Sequence, residues 1–294
     1  MKGIIKYWNK PKRSAYLFLA PSIILLVLFS VIPLLVAFGL SLFDVPITMS
    51  TAKFIGLQNF VAAFQDSRFL NSLKVTVIFT GIEVPIQVFG AIVVAAFITK
   101  NNMCNKLFRA IYFLPVICSA TAIGIMWKMI LHSNIGFITA ILQSMGFGKI
   151  NFLNTPGLTI FVVSFISIWR SFGISAIIYV TAIQQVPSSL YEAAEMDGAG
   201  KIRQFFHITV PSIRPTFWYI LMTRFAGALQ IFDIIYITTN GGPNYTTEST
   251  VTYIYSRAFS SSSSMGYASA MSAILFVVIM VITVLMYRKM NEED

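Results

Sequence analysis

Four charged side chains interrupt stretches that are otherwise apolar: Glu83, Arg170, Arg224 and Asp233. A charge inside a membrane-spanning segment is costly, so it faces a cavity, a partner or an ion path. Arg170 lies thirteen residues after Gly157, where its apolar stretch begins, which is about 20 Å along a helix and too deep for snorkelling. An ion pair between helices or a contact with a second subunit is its favoured role. A place on a substrate pathway is the alternative.

Gln230, Phe232, Asp233 and Tyr236 combine hydrogen-bonding groups with aromatic rings in one short stretch. Sugars need both, because their hydroxyl groups seek polar partners while their C–H faces stack on rings. Residues three or four apart share a face of a helix, so the spacing predicts that Gln230 and Asp233 point together into a substrate pathway. The alternative for Asp233 is that it caps or orients the loop that follows.

The sequence "GAGK" at 198–201 invites comparison with a phosphate-binding loop. Such a loop needs a glycine five residues before the Gly-Lys pair and Ser or Thr directly after it. Glu195 and Ile202 occupy those two positions. We therefore expect no ATP site of this type in the chain.

Metal and thiol chemistry have little support. The two histidines, His132 and His207, and the two cysteines, Cys104 and Cys118, are far apart and lack the spacing of metal ligands or of a disulfide framework. We expect no catalytic residue, no metal site and no cofactor in this chain.

The composition indicates an integral membrane protein. Hydrophobic residues make up 56% of the chain and charged residues only 11%, whereas about a quarter of a soluble domain is charged. The net charge of +10 is dispersed between apolar blocks, which fits anionic lipid and membrane orientation better than a nucleic-acid surface. We expect contact with membrane lipid and none with nucleic acid.

A membrane-spanning helix needs about 20 mostly apolar residues. The first apolar stretch follows five basic residues, but it is longer than the apolar core of a signal peptide and no small-residue cleavage site follows it. We therefore interpret it as a retained span. Six stretches qualify as spans: residues 16–42, 75–99, 107–131, 157–183, 217–239 and 267–287.

The basic residues predict the orientation of these spans. With the N-terminus inside, the cytoplasmic segments hold thirteen Lys and Arg residues and the outer segments six, and the cytoplasmic side is the one enriched in positive charge. Both termini are then cytoplasmic. The predicted organisation is a basic tail at 1–15, a six-span domain at 16–287 that includes a cytoplasmic loop at 184–215, and a tail at 288–294.

The loop at 184–215 is predicted to contain a short helix. Pro187 ends the fourth span because it lacks an amide hydrogen and restricts the residue before it. Ser189 and Glu192 match a capping box, which predicts a helix at 190–197. Gly198 and Gly200 then end the helix, because glycine tolerates the left-handed conformation there.

A second helix is predicted at 201–207, and it leads to Pro211 and Pro215 at the start of the fifth span. Ala193 and Ala194 give the first helix a small-residue surface that another protein can approach closely. An amphipathic hairpin lying on the lipid surface is the alternative.

The stretch "EAAEMDGAGKIRQFFHITVP" resembles the EAA signature of permease subunits in binding-protein-dependent ABC importers. The stretches "FRAIYFLPVI" with Trp127, "FDIIYITTNGGP" and "GYASAMSAILF" are similar to other parts of the same family, and together they span about 75–287. The pattern is closest to the carbohydrate-importing, maltose-permease-like branch. The signature residues are Glu192, Ala193, Ala194, Asp197, Gly198, Ala199, Phe205, Ile208 and Pro211.

The resemblance implies an all-α, six-span permease of the type I ABC importer fold, with a cytoplasmic coupling helix seated in a separate ATPase subunit. Glu192, Ala193, Ala194, Asp197, Gly198 and Ala199 would make that contact. The implied partners are a second permease in a heterodimer, an ABC ATPase dimer that binds ATP and Mg, an extracellular solute-binding protein and a carbohydrate, with an oligosaccharide favoured. The implied location is a bacterial cell membrane.

Two outer segments complete this interpretation. The turn "TTNGGPNYTTEST" is expected to help receive the binding protein, and the serine run at 260–264 is expected to be a flexible linker.

Three other functions stay open at this point. The chain could be an ABC permease for a solute other than a sugar. It could be an ion-coupled secondary transporter with Glu83 and Asp233 as proton or sodium sites. A membrane-embedded enzyme is the third, although no constellation of paired acids, histidines or a nucleophile with its base supports it.

Overall fold

The computed structural model describes residues 11–46, 52–260 and 264–291, and this part of the chain is mostly helical. Two short strands, β1 (Phe43–Asp44) and β2 (Lys53–Phe54), pair antiparallel with Phe43 opposite Phe54. Most of the predicted N-terminal tail and residues 292–294 of the C-terminal tail lie outside the described residues. Residues 288–291 continue the last helix.

Sixteen α-helices are described in this part of the chain. The first eight are α1 (Pro11–Leu26), α2 (Ile32–Leu40), α3 (Gln58–Gln65), α4 (Ser67–Pro85), α5 (Ala91–Ile98), α6 (Met103–Ile117), α7 (Ala120–Ile130) and α8 (Phe137–Ser144). The others are α9 (Leu158–Gln184), α10 (Ser188–Met196), α11 (Lys201–Gln204), α12 (Val210–Ser212), α13 (Arg214–Leu229), α14 (Asp233–Thr238), α15 (Thr250–Phe259) and α16 (Met265–Asn291).

Five helical stretches in the described residues are long and apolar enough to cross a membrane, and they overlap five of the six predicted spans. Because a hydrocarbon environment leaves backbone groups no partner outside the chain, an uninterrupted helix is the expected form. The five stretches are Phe18–Leu40, Ser67–Ile98, Leu158–Gln184, Arg214–Thr238 and Met265–Asn291.

The third predicted span, 107–131, is not one straight helix. It consists of α6 and α7, which are bent by 99° relative to each other. Pro115 removes a backbone donor near the end of α6, and Ser119 starts a new helix by accepting a hydrogen bond from the Ala122 amide at 3.1 Å. Counted as one broken span, the pair completes the predicted six.

Three π-helical turns lie beside prolines. Val27–Val31 precedes Pro33, Ile86–Gly90 follows Pro85, and Phe205–Thr209 precedes Pro211. A proline cannot donate to the carbonyl one turn back and its ring crowds that carbonyl. At Pro33 and Pro211 the π-turn occupies that preceding turn, so the backbone widens there and the helix continues.

The chain forms two compact units. The first comprises the described residues of 11–65 and 254–274. Within it, the Asn59 side-chain amide donates to the carbonyl oxygens of Ser41 and Phe43, both at 2.9 Å, and the Met265 amide donates to the Val45 carbonyl at 2.8 Å. Ser264 forms a β-bridge with Pro46. The rest of the predicted serine linker, residues 261–263, lies outside the described residues.

The second unit comprises residues 66–253 and 275–294. Helix α9 contacts α4, α5, α6 and α13 and so lies at its centre. Gly173 permits the close crossing of α9 and α6, because a Cβ at this position would lie 2.1 Å from the Tyr112 carbonyl oxygen. Buried apolar side chains fill the unit, among them Phe79, Val88, Ile166, Tyr179 and Ile220.

Replacing Gly173 with alanine is expected to lower the thermal unfolding temperature of the detergent-purified protein. The added methyl group meets a rigid carbonyl, and overpacking of this kind costs about 1–3 kcal/mol. Gly81→Ala is the matched control, since nothing lies within 4 Å of a Cβ at Gly81 on α4. Equal unfolding temperatures for the two variants would contradict the close crossing.

Candidate functional site

Helix α10 begins earlier than the sequence predicts. Its N-cap is Pro187, with φ −57° and ψ 130°, and no side chain caps the helix. The predicted capping box of Ser189 and Glu192 is therefore wrong. Pro187 already provides the extended backbone that starts the helix, so Ser189 falls within the first turn, past the position from which a side chain caps the free amides.

The end of α10 matches the prediction at Gly198. This residue has φ +76°, in the left-handed region. Its amide donates to the Glu195 carbonyl at 3.0 Å and the Ala199 amide donates to the Ala194 carbonyl at 2.8 Å, which is the pair of bonds that defines a Schellman motif. The expectation that Gly200 also ends the helix is wrong, because Gly200 is extended and is the N-cap of α11.

The second helix of the loop is longer than predicted. It runs through α11, the π-turn Phe205–Thr209 and α12, so it passes the predicted end at His207 and reaches Ser212. Pro211 lies in the first turn of α12, and the π-turn before it absorbs the missing hydrogen bond. We call residues 188–212 the coupling segment.

Two side-chain hydrogen bonds fix the coupling segment internally. The hydroxyl groups of Tyr191 and Thr209 are 2.9 Å apart, and the Thr209 residue is only 4% exposed. The Gln204 side-chain amide donates to the Ala199 carbonyl at 2.9 Å. The first bond joins α10 to the backbone that enters the fifth span, and the second joins α11 to the loop between the two helices.

The coupling segment presents an open surface. Glu192, Ala193, Asp197 and Gly198 are exposed, while Ala194 and Ala199 are half-buried. Nothing lies within 4 Å of a Cβ built at Gly198. Large apolar side chains are also exposed here, Met196 being 89% exposed, with Leu190, Ile202 and Phe206. An apolar patch rimmed by charges is typical of a protein or membrane contact.

The predicted pathway residues lie at a break in the fifth span. Helix α13 ends at Leu229 and α14 starts at Asp233, with Phe232 at φ −137° and ψ −61° between them. The prediction that Gln230 and Asp233 share a helical face is therefore wrong. Gln230 donates back to the Ala226 carbonyl at 3.1 Å.

The break nevertheless brings two of the predicted residues together. The rings of Phe232 and Tyr236 stack with centroids 5.1 Å apart and an interplanar angle of 19°. Asp233 is exposed in the first turn of α14, where a carboxylate interacts favourably with the helix dipole. The alternative, in which Asp233 caps or orients the loop after the span, stays a prediction.

A buried polar seam between α4 with its following π-turn and α9 was not predicted. Ser167 donates to Glu83 at 3.3 Å, Ser175 donates to Gln87 at 3.4 Å, and Gln87 also donates to Ser171. Polar residues recur every fourth position in both apolar stretches, and that spacing places them on one helical face. This repeat is the sequence signal that could have revealed the seam.

Arg170 forms no ion pair with a described residue, and the other favoured role, a contact with a second subunit, stays a prediction. No acidic oxygen of a described residue lies within 4.0 Å of its guanidinium group, and its Nε is buried without a hydrogen-bond partner. The same holds for Arg224. Both side chains are half-buried within the spans.

The loop at 239–250 is fastened to the start of α4 by a cluster that sequence reasoning also missed. Arg68 makes two hydrogen bonds of 2.7 Å to the carboxylate of Glu248 and stacks over Tyr245 at 3.7 Å from the ring centroid. Tyr253 donates to Asp66 at 2.5 Å. The partners are about 180 residues apart in sequence, so no local pattern signals them.

Among the described residues, no group of three or more His, Cys, Asp or Glu side chains is placed to hold a metal ion.

Two related proteins match nearly the whole chain. The chain is 36% identical over 282 residues to the probable ABC transporter permease protein YurN of Bacillus subtilis, covering 94% of this chain and 96% of the relative. It is 33% identical to the sulfoquinovosyl glycerol transport system permease protein SmoG of Agrobacterium fabrum, covering 95% of this chain and 91% of the relative.

Solved structures agree with the fold. A bacterial ABC transporter involved in the import of the acidic polysaccharide alginate matches with a TM-score of 0.85 and 25% identity, covering 98% of this chain and 99% of the other. A bacterial alginate ABC transporter in complex with an alginate pentasaccharide-bound periplasmic protein matches with a TM-score of 0.81 and 26% identity, covering 95% of each chain.

The family model of the binding-protein-dependent transport system inner membrane component matches residues 55–291. This range contains the coupling segment, the broken fifth span and the fastened loop at 239–250. The chain therefore belongs to the family of inner membrane components of binding-protein-dependent transport systems.

Proposed function

We propose that the chain is one permease subunit of an ATP-driven carbohydrate importer and forms half of its translocation pathway. Its partners are a second permease, a pair of ABC ATPase subunits that bind ATP and Mg, and an extracellular solute-binding protein. The observation that carries this proposal is the coupling segment, an internally fixed pair of short helices with an exposed small-residue and acidic surface.

A carbohydrate is the proposed solute. The relative SmoG is named for sulfoquinovosyl glycerol, and the matching transporter structure is described with alginate. These names support a sugar-containing solute over other classes. In this chain, Phe232 and Tyr236 offer stacked rings, and Gln230 and Asp233 offer exposed polar groups beside them. We propose this break as part of the pathway.

The proposed orientation places both termini and the coupling segment in the cytoplasm of a bacterial cell. The support is the asymmetry of basic residues, thirteen on that side against six on the other. The fastened outer loop at 239–250 then faces the outside, where its rigid geometry suits it to receive the solute-binding protein.

The coupling mechanism follows from the fixed geometry. Glu192, Ala193, Asp197 and Gly198 form the exposed surface that docks into a cleft of the ATPase. Only residues 185–187 separate α10 from α9, so a displacement of α10 reaches the fourth span directly. The hydrogen bond between Tyr191 and Thr209 carries the same displacement to the fifth span.

Replacing Gly198 with leucine is expected to abolish ATPase association or the stimulation of ATP hydrolysis by loaded binding protein. The substitution puts a bulky side chain on the docking surface and strains the left-handed backbone by about 1–2 kcal/mol. Co-purification of the ATPase and ATP hydrolysis in reconstituted vesicles measure the effect.

Gly146→Leu is a matched control for backbone strain. Gly146 ends α8 with φ +88°, with the Phe147 amide donating to the Leu142 carbonyl at 3.0 Å and nothing within 4 Å of a Cβ. Its loop lies on the opposite side of the membrane in the proposed orientation. If both variants keep normal uptake, or both lose it equally, docking at Gly198 is refuted.

Replacing Tyr191 with phenylalanine is expected to lower the amount of solute imported per ATP hydrolysed while the ATPase stays bound. One lost neutral hydrogen bond is worth about 0.5–1.5 kcal/mol, so uptake should fall about 2- to 10-fold. Solute uptake and ATP hydrolysis are measured together in reconstituted vesicles.

Thr209→Val removes the same bond from the other side, and the double variant should behave like either single one. Tyr287→Phe, at an exposed position of the last span, is the control. Additive effects of the Tyr191 and Thr209 substitutions would rule out this bond as the transmitting contact.

A further inference from the structure

Three charged groups lie on three helices of the second unit that contact one another: Glu83 on α4, Arg170 on α9 and Arg224 on α13. Glu83 is only 6% exposed and is held by Ser167. Both arginines are half-buried, so part of each side chain reaches the surface of this chain.

The arginines have unused hydrogen-bonding capacity. A guanidinium group carries five N–H donors, yet neither Arg170 nor Arg224 makes a hydrogen bond or an ion pair with any described residue. The Nε atoms of both arginines are buried and lack a hydrogen-bond partner. One carboxylate oxygen of Glu83 is also buried without a partner. Buried polar groups are normally paired, so the unused donors indicate a ligand or partner that the chain alone does not supply.

The charges within this cluster do not balance. Arginine stays protonated in proteins, so the two guanidinium groups contribute +2 and Glu83 contributes −1 when ionised and 0 when protonated. The cluster therefore carries +1 or +2. The seam residues around it, Gln87, Ser171 and Ser175, are neutral. A net positive charge within a membrane-spanning bundle calls for an anion.

Aromatic rings lie next to Arg170 along the same helix. Trp169 precedes it directly, and Trp127 makes edge-to-face contacts with Trp169 and Phe165, with centroids 5.6 Å and 5.5 Å apart. The indole N–H of Trp127 is buried and also lacks a partner. Trp127 therefore has an unused donor within a cluster of aromatic rings, and such a cluster suits both the polar groups and the C–H faces of a sugar.

We propose that Arg170 and Arg224 form an anion-recognition pair on the translocation pathway, and that the imported carbohydrate bears a carboxylate, sulfate or phosphate group. This inference rests on the proposed import of carbohydrate and adds its charge. Arginine suits the role because its planar fork matches these groups in a bidentate geometry.

The test uses the complete importer, expressed in cells with its own binding protein and ATPase. Uptake is measured for disaccharide pairs that differ only in the acidic group: galacturonate against galactose disaccharides, and sulfated against unsulfated glucose disaccharides. Arg170→Gln and Arg224→Gln are compared with Lys74→Gln, which removes an exposed charge from α4. Arg170→Lys keeps the positive charge but lacks the planar guanidinium group that can donate two parallel hydrogen bonds.

The unmodified importer should take up the acidic disaccharide of each pair. Arg170→Gln and Arg224→Gln should each reduce the uptake of the acidic disaccharide about 10- to 100-fold, because each removes a charge-assisted hydrogen bond. Lys74→Gln should be normal and Arg170→Lys intermediate. The assembled complex should keep its second permease and its ATPase in every variant.

Three results would overturn the proposal in distinguishable ways. Import of neutral sugars, unchanged in the arginine variants, would refute anion recognition and leave the carbohydrate function standing. Loss of the second permease from the Arg170→Gln and Arg224→Gln complexes would show that the arginines pair with an acid of that subunit. No uptake of any acidic or neutral carbohydrate by an assembled complex would contradict the proposed carbohydrate function itself.

Discussion

The hydrocarbon environment is the constraint on which the rest of this structure depends, because it leaves backbone N–H and C=O groups no partners except one another. The prolines beside the three π-turns show how the chain meets this constraint without ending its helices. Buried polar side chains also find partners within the chain, because serines of α9 donate hydrogen bonds to Glu83 and Gln87. Where side-chain donors stay unused, as at Arg170 and Arg224, a ligand or a partner is required.

The coupling segment differs from the apolar spans in the residues that it exposes. Its surface carries charged and small residues, a hydrogen bond between Tyr191 and Thr209 joins its two helices, and Phe205 and Val210 pack against the hydrophobic core. Membership in a binding-protein-dependent transport family decides against both a secondary transporter and a membrane-embedded enzyme. In the proposed function, this segment is the rigid element through which a separate ATPase subunit acts on the spans.

The helices and the left-handed end at Gly198 could be predicted because apolar length and glycine chemistry are local signals. The bend between α6 and α7 was missed because the stretch is long and apolar enough for one straight span, and the signals at Pro115 and Ser119 were not weighed against that length. The face shared by Gln230 and Asp233 was predicted wrongly because a helical period was assumed across a break. The contact between Arg68 and Glu248 depends on the tertiary fold and leaves no pattern nearby in the sequence.

Site-specific photo-crosslinking in intact membranes tests the docking of the coupling segment most directly. A photoreactive residue in place of Met196, which is 89% exposed on α10, should form a covalent product with an ATPase subunit, and the yield should change when ATP binds. The same residue in place of Met129, exposed on α7, should give no such product. Crosslinking of position 196 to lipid alone, with and without ATP, would contradict the account.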